Sequence, residues 1–320
     1  MLKKVLTKMN KRVFIGIDTS NYTTSCAVCD EAGVILENFK ELLPVKEGEN
    51  GLRQSDAVFA HVKNFEKIAS YIREKHADYE IIAIGYSAYP RDIEGSYMPC
   101  FLVGKAVCEM ISALYSIPVY HFSHQSGHIR AAIYSSGANI ESDFIAFHVS
   151  GGTTEILYVK PTNNKFNIEI IGGSVDLHAG QAIDRIGVKM GLKFPCGKQI
   201  EELAGKNTSK IPSYNVCVKE FECNLSGLEN LSINLYQKTN DVSLTSAFVL
   251  DFIGKTLEKL TLNLRKKYLN IKIIYAGGVM SNKIIQNRLK NKFDNVYFAE
   301  PVYSSDNAAG IALLTKENHK

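Results

Sequence analysis

Phe144-Ile145-Ala146-Phe147-His148-Val149-Ser150-Gly151-Gly152-Thr153-Thr154 repeats Phe14-Ile15-Gly16-Ile17-Asp18-Thr19-Ser20-Asn21-Tyr22-Thr23-Thr24 at an offset of 130 residues, Phe144 standing against Phe14. The aligned Phe, Ile, Ser and both Thr residues are identical. Each copy reads as a buried strand, a polar turn rich in hydroxyls, and the start of a second strand. Two buried strands with Ser/Thr turns can look alike by coincidence. A duplicated domain is the sharper reading, with two equivalent hairpin tips facing each other across a cleft, where ligands tend to bind.

Working outward, Ser25-Cys26-Ala27-Val28-Cys29 completes the first hairpin. Apolar residues at Val58, Phe59, Val62, Phe65, Ile68, Ala69 and Ile72 have helical spacing over 56–75. A buried strand over 80–86, a helix over 102–114 and a short strand over 118–120 follow. In the second half a long helix is expected over 244–267. The strand 272–276 then breaks at Gly277-Gly278, before a helix opening near Ser281-Asn282. Such a strand, turn and helix N-terminus suits close backbone approach by a nucleotide, or is simply a tight turn. A short strand at 296–298 precedes a capped helix built on Asp306-Asn307-Ala308-Ala309-Gly310, whose small residues suggest close packing.

The 320 residues leave room for two core-bearing units, and 45% hydrophobic with 22% charged residues is a globular composition. No stretch approaches the length of a membrane span. The basic start, with Lys3, Lys4, Lys8, Lys11 and Arg12, lacks the apolar core of a signal peptide and reads as a frayed extension. Seven cysteines without regular spacing argue against a disulfide framework and for a reducing, cytoplasmic setting. In a strand, Cys26 and Cys29 point to opposite faces, which excludes a CxxC metal pair. A net charge of +4 permits nucleic-acid contact without arguing for it. Arg265-Lys266-Lys267 closes the long helix, as a solvated face.

His124-Gln125-Ser126-Gly127-His128 sets two imidazoles four apart, on one face of a helix, either as metal ligands or as hydrogen-bonded histidines at a helix start. Asp306 is the natural third ligand, or else a helix cap. Gln125 stands where a metalloprotease HExxH carries Glu, so proteolysis is not supported. Ser150-Gly151-Gly152-Thr153-Thr154 could cradle a phosphate or carboxylate, or form a plain turn. Asp184 lies on a helix, where an ion pair is its plain role. Gly197, in Phe194-Pro195-Cys196-Gly197-Lys198, could lie against a ribose.

The ordered set of Gly16-Ile17-Asp18-Thr19-Ser20, His124-Gln125-Ser126-Gly127-His128, Ser150-Gly151-Gly152, Ala179 to Asp184, Leu225-Ser226-Gly227-Leu228, Ala276-Gly277-Gly278-Val279 through Asn282, and Asp306-Asn307-Ala308-Ala309 resembles the tRNA threonylcarbamoyltransferase family, the TsaD proteins once described as sialoglycoprotein endopeptidases. It covers about residues 13–314. The resemblance implies an α/β, actin-like (ASKHA) fold of two RNase H-like lobes around a cleft. We place the lobes at 12–140 and 141–320, with the last helix free to pack back on the first lobe. It implies that His124, His128 and Asp306 hold one iron or zinc ion. It assigns His148, Val149, Ser150, Gly151, Gly152, Asp184, Gly197 and Asn282 to a pocket for threonylcarbamoyl-AMP or another adenine nucleotide. The implied acyltransferase moves threonylcarbamoyl onto the adenosine beside the anticodon. Its partners would be tRNA, an actin-like paralogue and the ATPase subunit of the modification complex.

The departures are specific. Asn21-Tyr22-Thr23 replaces the family's Cys-Asp-Glu, Thr153 replaces a histidine, and Tyr89-Pro90-Arg91-Asp92-Ile93-Glu94-Gly95 replaces a Gly-Pro-Gly-Leu segment. They leave a second reading, a divergent paralogue that binds nucleotide and metal as a regulatory or partner subunit. A kinase of the actin and sugar-kinase superfamily is disfavoured, because His148 stands where that superfamily commonly has an acid.

Overall fold

The computed structural model describes residues 11–20, 22–44, 52–75, 79–163 and 165–320. The basic residues at Lys3, Lys4 and Lys8, and Asn21 of the first turn, lie outside them. The chain divides into two compact units. One holds the residues up to Ala131, the stretch Thr162–Lys165 and Asp306–Lys320; the other holds Ala132–Pro161 and Phe166–Ser305.

The first unit is built on β1 (Lys11–Ser20), β2 (Thr23–Asp30) and β3 (Ile35–Leu42), then α1 (Gln54–Lys75), β4 (Tyr79–Tyr89), α2 (Phe101–Tyr115), β5 (Val119–Ser123) and, up to Ala131, α3 (His124–Ser136). Its sheet runs β3-β2-β1-β4-β5, antiparallel through the first hairpins and parallel from β1 to β5. Central β1 is buried from Val13 to Ser20, so it reads as a continuous apolar run rather than an alternation. One face, with Ile15, Ile17 and Ile84, packs against Ile68 of α1 and Cys108 of α2. The cysteines are all free, and six of the seven are buried.

The second unit contains β6 (Phe144–Val149), β7 (Thr154–Thr162), β8 (Lys165–Ser174), α4 (Ala179–Lys189), α5 (Gly197–Ala204), β9 (Cys217–Lys219), β10 (Glu222–Asn224), α6 (Ser226–Thr239), α7 (Val242–Lys267), β11 (Lys272–Ala276), α8 (Lys283–Lys290), β12 (Val296–Phe298) and α9 (Pro301–Ser304). The last helix of the chain, α10 (Ala309–Asn318), belongs to the first unit. The second sheet runs β12-β11-β6-β7-β8-β10-β9. Its β8-β7-β6-β11-β12 portion repeats the order of the first sheet. The repeat holds at the level of residue pairs: Thr19 faces Thr24 across one hairpin and Val149 faces Thr154 across the other. The duplication read from the sequence is therefore structural.

The core of this unit stacks Tyr275 between Phe147 and Phe298, at centroid separations of 4.7 and 4.9 Å, and the Tyr275 hydroxyl meets Thr261 Oγ1 at 2.6 Å. Asp241 caps α7 by accepting from the amides of Ser243 and Leu244. Arg265, expected on a solvated face, donates instead to the carbonyls of Ile271 and Asp294 and ties the end of α7 to the next loop. No helix among the described residues is long and apolar enough to cross a membrane.

On the other face of β1, Gly16 and Gly85 let α10 lie almost on the backbone. A Cβ at Gly16 would stand 2.3 Å from Ala312 N, and one at Gly85 would stand 1.9 Å from Thr315 Oγ1. The same helix meets α3 at a second glycine pair, where a Cβ on Gly310 would lie 1.8 Å from the Gly127 carbonyl oxygen. Backbone cannot yield as a flexible side chain can. Gly16→Ala and Gly310→Ala are therefore each expected to destabilise the protein by about 1–3 kcal/mol. Gly227→Ala on α6, whose Cβ meets nothing within 4 Å, leaves stability unchanged or slightly raised. Urea-unfolding midpoints of the three variants check this; equal midpoints would refute the close-packing argument.

Candidate metal centre and ligand turns

Ser123, the last residue of β5, caps α3: its Oγ accepts from the amide of Ser126 at 3.0 Å. His124 is thus the first residue of α3, and His128 follows one turn later on the same face. Their Nε2 atoms approach to 2.9 Å with the rings edge to face. Asp306 Oδ1 lies 3.2 Å from His128 Nε2 and 3.7 Å from His124 Nε2. One ligand atom from each residue falls within a 4.8 Å cluster. The reason is the glycine contact just described: α3 and α10 meet backbone to backbone at Gly127 and Gly310, and Asp306 directly precedes α10. Asp306 does not cap that helix. Asn307 Oδ1 takes the amide of Ala309 at 3.0 Å, which leaves the Asp306 carboxylate to the histidines.

A fourth residue completes the group. Asp18, at the buried end of β1, accepts from His124 Nδ1–H at 2.6 Å through Oδ2, and from the amide of Ser20 at 2.7 Å through Oδ1. It is 1% exposed. This bond settles the tautomer of His124 and turns its Nε2 lone pair toward His128 and Asp306. Sequence reasoning had quoted Asp18 without a role; a lone acid ending an otherwise apolar buried strand was the available signal.

The electrostatics follow from the crowding. Burial works against the Asp18 carboxylate, but the His124 imidazole, by charge and hydrogen bond, outweighs it and holds the carboxyl below its usual range. Burial likewise opposes a charged His124, yet Asp18 and Asp306 push its pKa up to about 9. Burial would raise Asp306; the hydrogen bond from His128 and the charges of both histidines hold it well below the carboxylate range.

The donor set fits a transition metal. Two imidazoles and a carboxylate separated by 2.9 to 3.7 Å match ligands sharing one ion at about 2.0–2.2 Å. Nitrogen with oxygen donors suits zinc or iron(II), and the carboxylate behind a ligating imidazole is the usual supporting contact.

The residues assigned to the nucleotide pocket all lie in the second unit. His148, on β6, faces Glu155 of β7 and occupies the hairpin position that Asp18 holds in the first unit. The Val149 side chain is fully buried in the core. Ser150 to Thr153 form a turn closed by Ser150 N–H donating to Thr153 O at 2.8 Å, and a Cβ on Gly151 or Gly152 would meet nothing within 4 Å. The first amides of α4 are already engaged: Ala179 N with Thr154 Oγ1, Gly180 N with Ser150 O. Among the described residues Asp184 forms no ion pair; its Oδ1 accepts from Cys196 N at 2.7 Å and so fixes the loop before Gly197, where a Cβ also meets open space. Burial raises the Asp184 pKa. Asn282 caps α8 by accepting from Ile285 N at 3.1 Å.

Of the two readings of Gly277, the structure has the tight turn. Its φ is +100°, and a Cβ there would lie 2.3 Å from Val149 O, so the residue is glycine because another strand's backbone is against it. Gly278, like Gly151, Gly152 and Gly197, has open space where a Cβ would stand, as do Gly95, Gly137, Gly191 and Gly227 elsewhere. The Leu225-Ser226 motif is likewise architectural: both amides donate to Asp176, anchoring α6.

A family model described as tRNA N6-adenosine threonylcarbamoyltransferase matches residues 55–313. The protein of that name from Streptococcus thermophilus is 29% identical over 301 residues, covering 89% of this chain and 88% of the relative. The one from Ligilactobacillus salivarius is 30% identical over 293 residues, covering 87% and 81%. Among solved structures, component A of (R)-2-hydroxyglutaryl-CoA dehydratase from Acidaminococcus fermentans superposes with a TM-score of 0.55 at 14% identity, covering 95% of this chain and 98% of that one. The activator of 2-hydroxyisocaproyl-CoA dehydratase from Clostridium difficile, with bound ADPNP, gives 0.53 at 12% identity, covering 95% and 94%. These likenesses establish the actin-like fold expected from the sequence.

A metal must displace the His124 proton. In the metal-free protein the raised pKa contributes stability that is fully present below about pH 6.5 and is lost as pH rises through about 9. Metal affinity runs the other way and rises across the same window. Zinc binding by chelator competition between pH 6.5 and 9, beside thermal melts of the metal-free protein, is expected to show these opposed trends. His124→Ala removes both. A metal affinity independent of pH in this range contradicts the assignment.

Proposed function

We propose that this chain, which belongs to the tRNA N6-adenosine threonylcarbamoyltransferase family, transfers threonylcarbamoyl from threonylcarbamoyl-AMP to the exocyclic amine of the adenosine beside the anticodon in tRNAs that read codons starting with A. The observation that carries this reading is the convergence of His124, His128 and Asp306 with Asp18 behind them. An iron or zinc ion on these residues would polarise the carbamoyl carbonyl as AMP leaves. Asp18 and the close seat of α10 hold the ligand atoms in place, so no reorganisation accompanies the reaction. The adenylate is assigned to the open glycines of the Ser150 turn and Gly197, with His148, Val149, Asp184 and Asn282 around them. Adenine-nucleotide binding by a protein of the same fold supports this assignment.

The partner reading also has support. Tyr22 and Thr23 stand where the family has two acids, and Thr23 is buried at 4% exposure, so a carboxylate is not accommodated there without cost. Phe59 and Val62 of α1, and Met110 and Leu114 of α2, are exposed apolar residues. They suit contact with the actin-like paralogue of the modification complex.

Loss of general-base help typically costs about 10²–10⁴-fold. Single-turnover transfer is therefore expected to be slower than that of an ordinary family member by a factor of that order. Tyr22→Asp, at an exposed position, raises the rate, while Thr23→Glu lowers stability. In cells depleted of the housekeeping enzyme, mass spectrometry of tRNA nucleosides decides between the readings. Restoration of the modified nucleoside by the wild type and not by His124→Ala establishes the transferase. No nucleoside from a protein that still holds metal and nucleotide makes it a partner subunit.

A further inference from the structure

The Tyr89–Gly95 segment, where the chain departs from its family, closes directly over the start of α3. The Pro90 carbonyl accepts from the amide of Gln125 at 3.0 Å. Asp92 Oδ2 accepts from the hydroxyl of Ser123 and, at 2.9 Å, from that of Ser126. Tyr89 also bonds to this carboxylate. With the Ser123 proton directed to Asp92, the lone pairs of Ser123 Oγ face inward and accept from Ser126 N–H at 3.0 Å. Two of the unpaired amides of the first turn of α3 are thereby satisfied, and a negative charge sits at the positive end of the helix. The Ser123 and Ser126 side chains are buried while Asp92 is exposed, so the two hydroxyls depend on this carboxylate at the rim of the core. The turn they fix begins with His124.

We infer that Asp92 is a positioning residue for the metal centre, fixing the first turn of α3 so that His124 and His128 meet Asp306. The inference rests on the metal reading above and deepens it. Asp92 touches neither the ion nor the substrate; it acts through two serines on the histidines' helix. Its place just after β4 lets the chain leaving that strand hold the first turn of the ligand helix.

The test compares the wild type with Asp92→Ala, Asp92→Asn and, in the same loop, Glu94→Ala. Zinc affinity is read by chelator competition, and amide hydrogen exchange of α3 is read on the metal-free proteins. Supporting contacts of this kind are worth about 10–100-fold in metal affinity. Asp92→Ala is expected to lose about 10-fold, with faster exchange at Gln125 and Ser126 only. Asp92→Asn keeps an oxygen acceptor and stays closer to the wild type, and Glu94→Ala matches it. Faster exchange in Asp92→Ala with zinc bound as tightly as by the wild type would reduce Asp92 to a cap and overturn the inference. Unchanged exchange and unchanged affinity overturn it as well. A wild type that binds no zinc removes the metal reading, and this inference with it.

Discussion

The backbone contact between Gly127 of α3 and Gly310 of α10 is the constraint on which the candidate centre depends. A helix carrying side chains at these positions would stand off by the width of a methyl group, and the ligand atoms would no longer share one ion. The contact has its own foundation. The α10 helix can reach α3 only because Gly16 and Gly85 remove the side chains that would separate it from the sheet. Four glycines, distant in sequence, thus set an arrangement that the ligand residues themselves cannot enforce. The run Ala308-Ala309-Gly310-Ile311-Ala312 makes sense in these terms, since small residues are what a helix packed on two sides requires.

Onto that packing the chain adds a group of charges that stability alone does not favour. Asp18, His124, His128 and Asp306 are crowded in a partly dry place, where each charge costs desolvation energy and depends on its neighbours. Without an ion, the raised His124 holds the proton whose charge the lowered Asp18 and Asp306 carboxylates answer, in place of a metal. Asp18 serves two ends at once, since one oxygen closes the hairpin tip through Ser20 and the other orients His124. Departures from local stability of this kind gather at functional sites. They concentrate here in the first unit, whereas the second offers open glycine turns and capping residues.

How much of this was legible in the sequence depended on distance along the chain. The repeat of Phe14–Thr24 at Phe144–Thr154 carried the central hairpin of each sheet, because strand pairing across a short turn is local, whereas β3, β8, β9 and β10 had no such signal. The His124–His128 pair was legible for the same reason, being one helical turn. The bond between Asp18 and His124 spans 106 residues and leaves no periodic trace. The sequence left Gly277 between two roles, because glycine before a helix serves equally to admit a ligand or to make a tight turn past another strand, and only Val149 against it tells the two apart. Asp306 and Asn307 are both good capping residues, and the sequence could not say which would cap.

The same distinction separates the residues that the packing ties down from those it leaves free. The metal ligands are bound to the fold through α3, α10 and β1 together, so changing one of them exposes a buried partner charge, and the packing that surrounds it cannot adjust. The first hairpin tip is under no such constraint. Tyr22 is exposed, and exchanging an acid there for an aromatic ring disturbs no packed element. The Tyr89–Gly95 loop lies between these cases. It is free at its exposed apex, around Ile93 and Glu94, but tied at Pro90 and Asp92 to the first turn of α3. A replacement loop can therefore persist only if it satisfies that turn, and the Asp92 carboxylate does so. The fold is thus indifferent at its exposed tips and demanding wherever a buried polar group would be left without a partner.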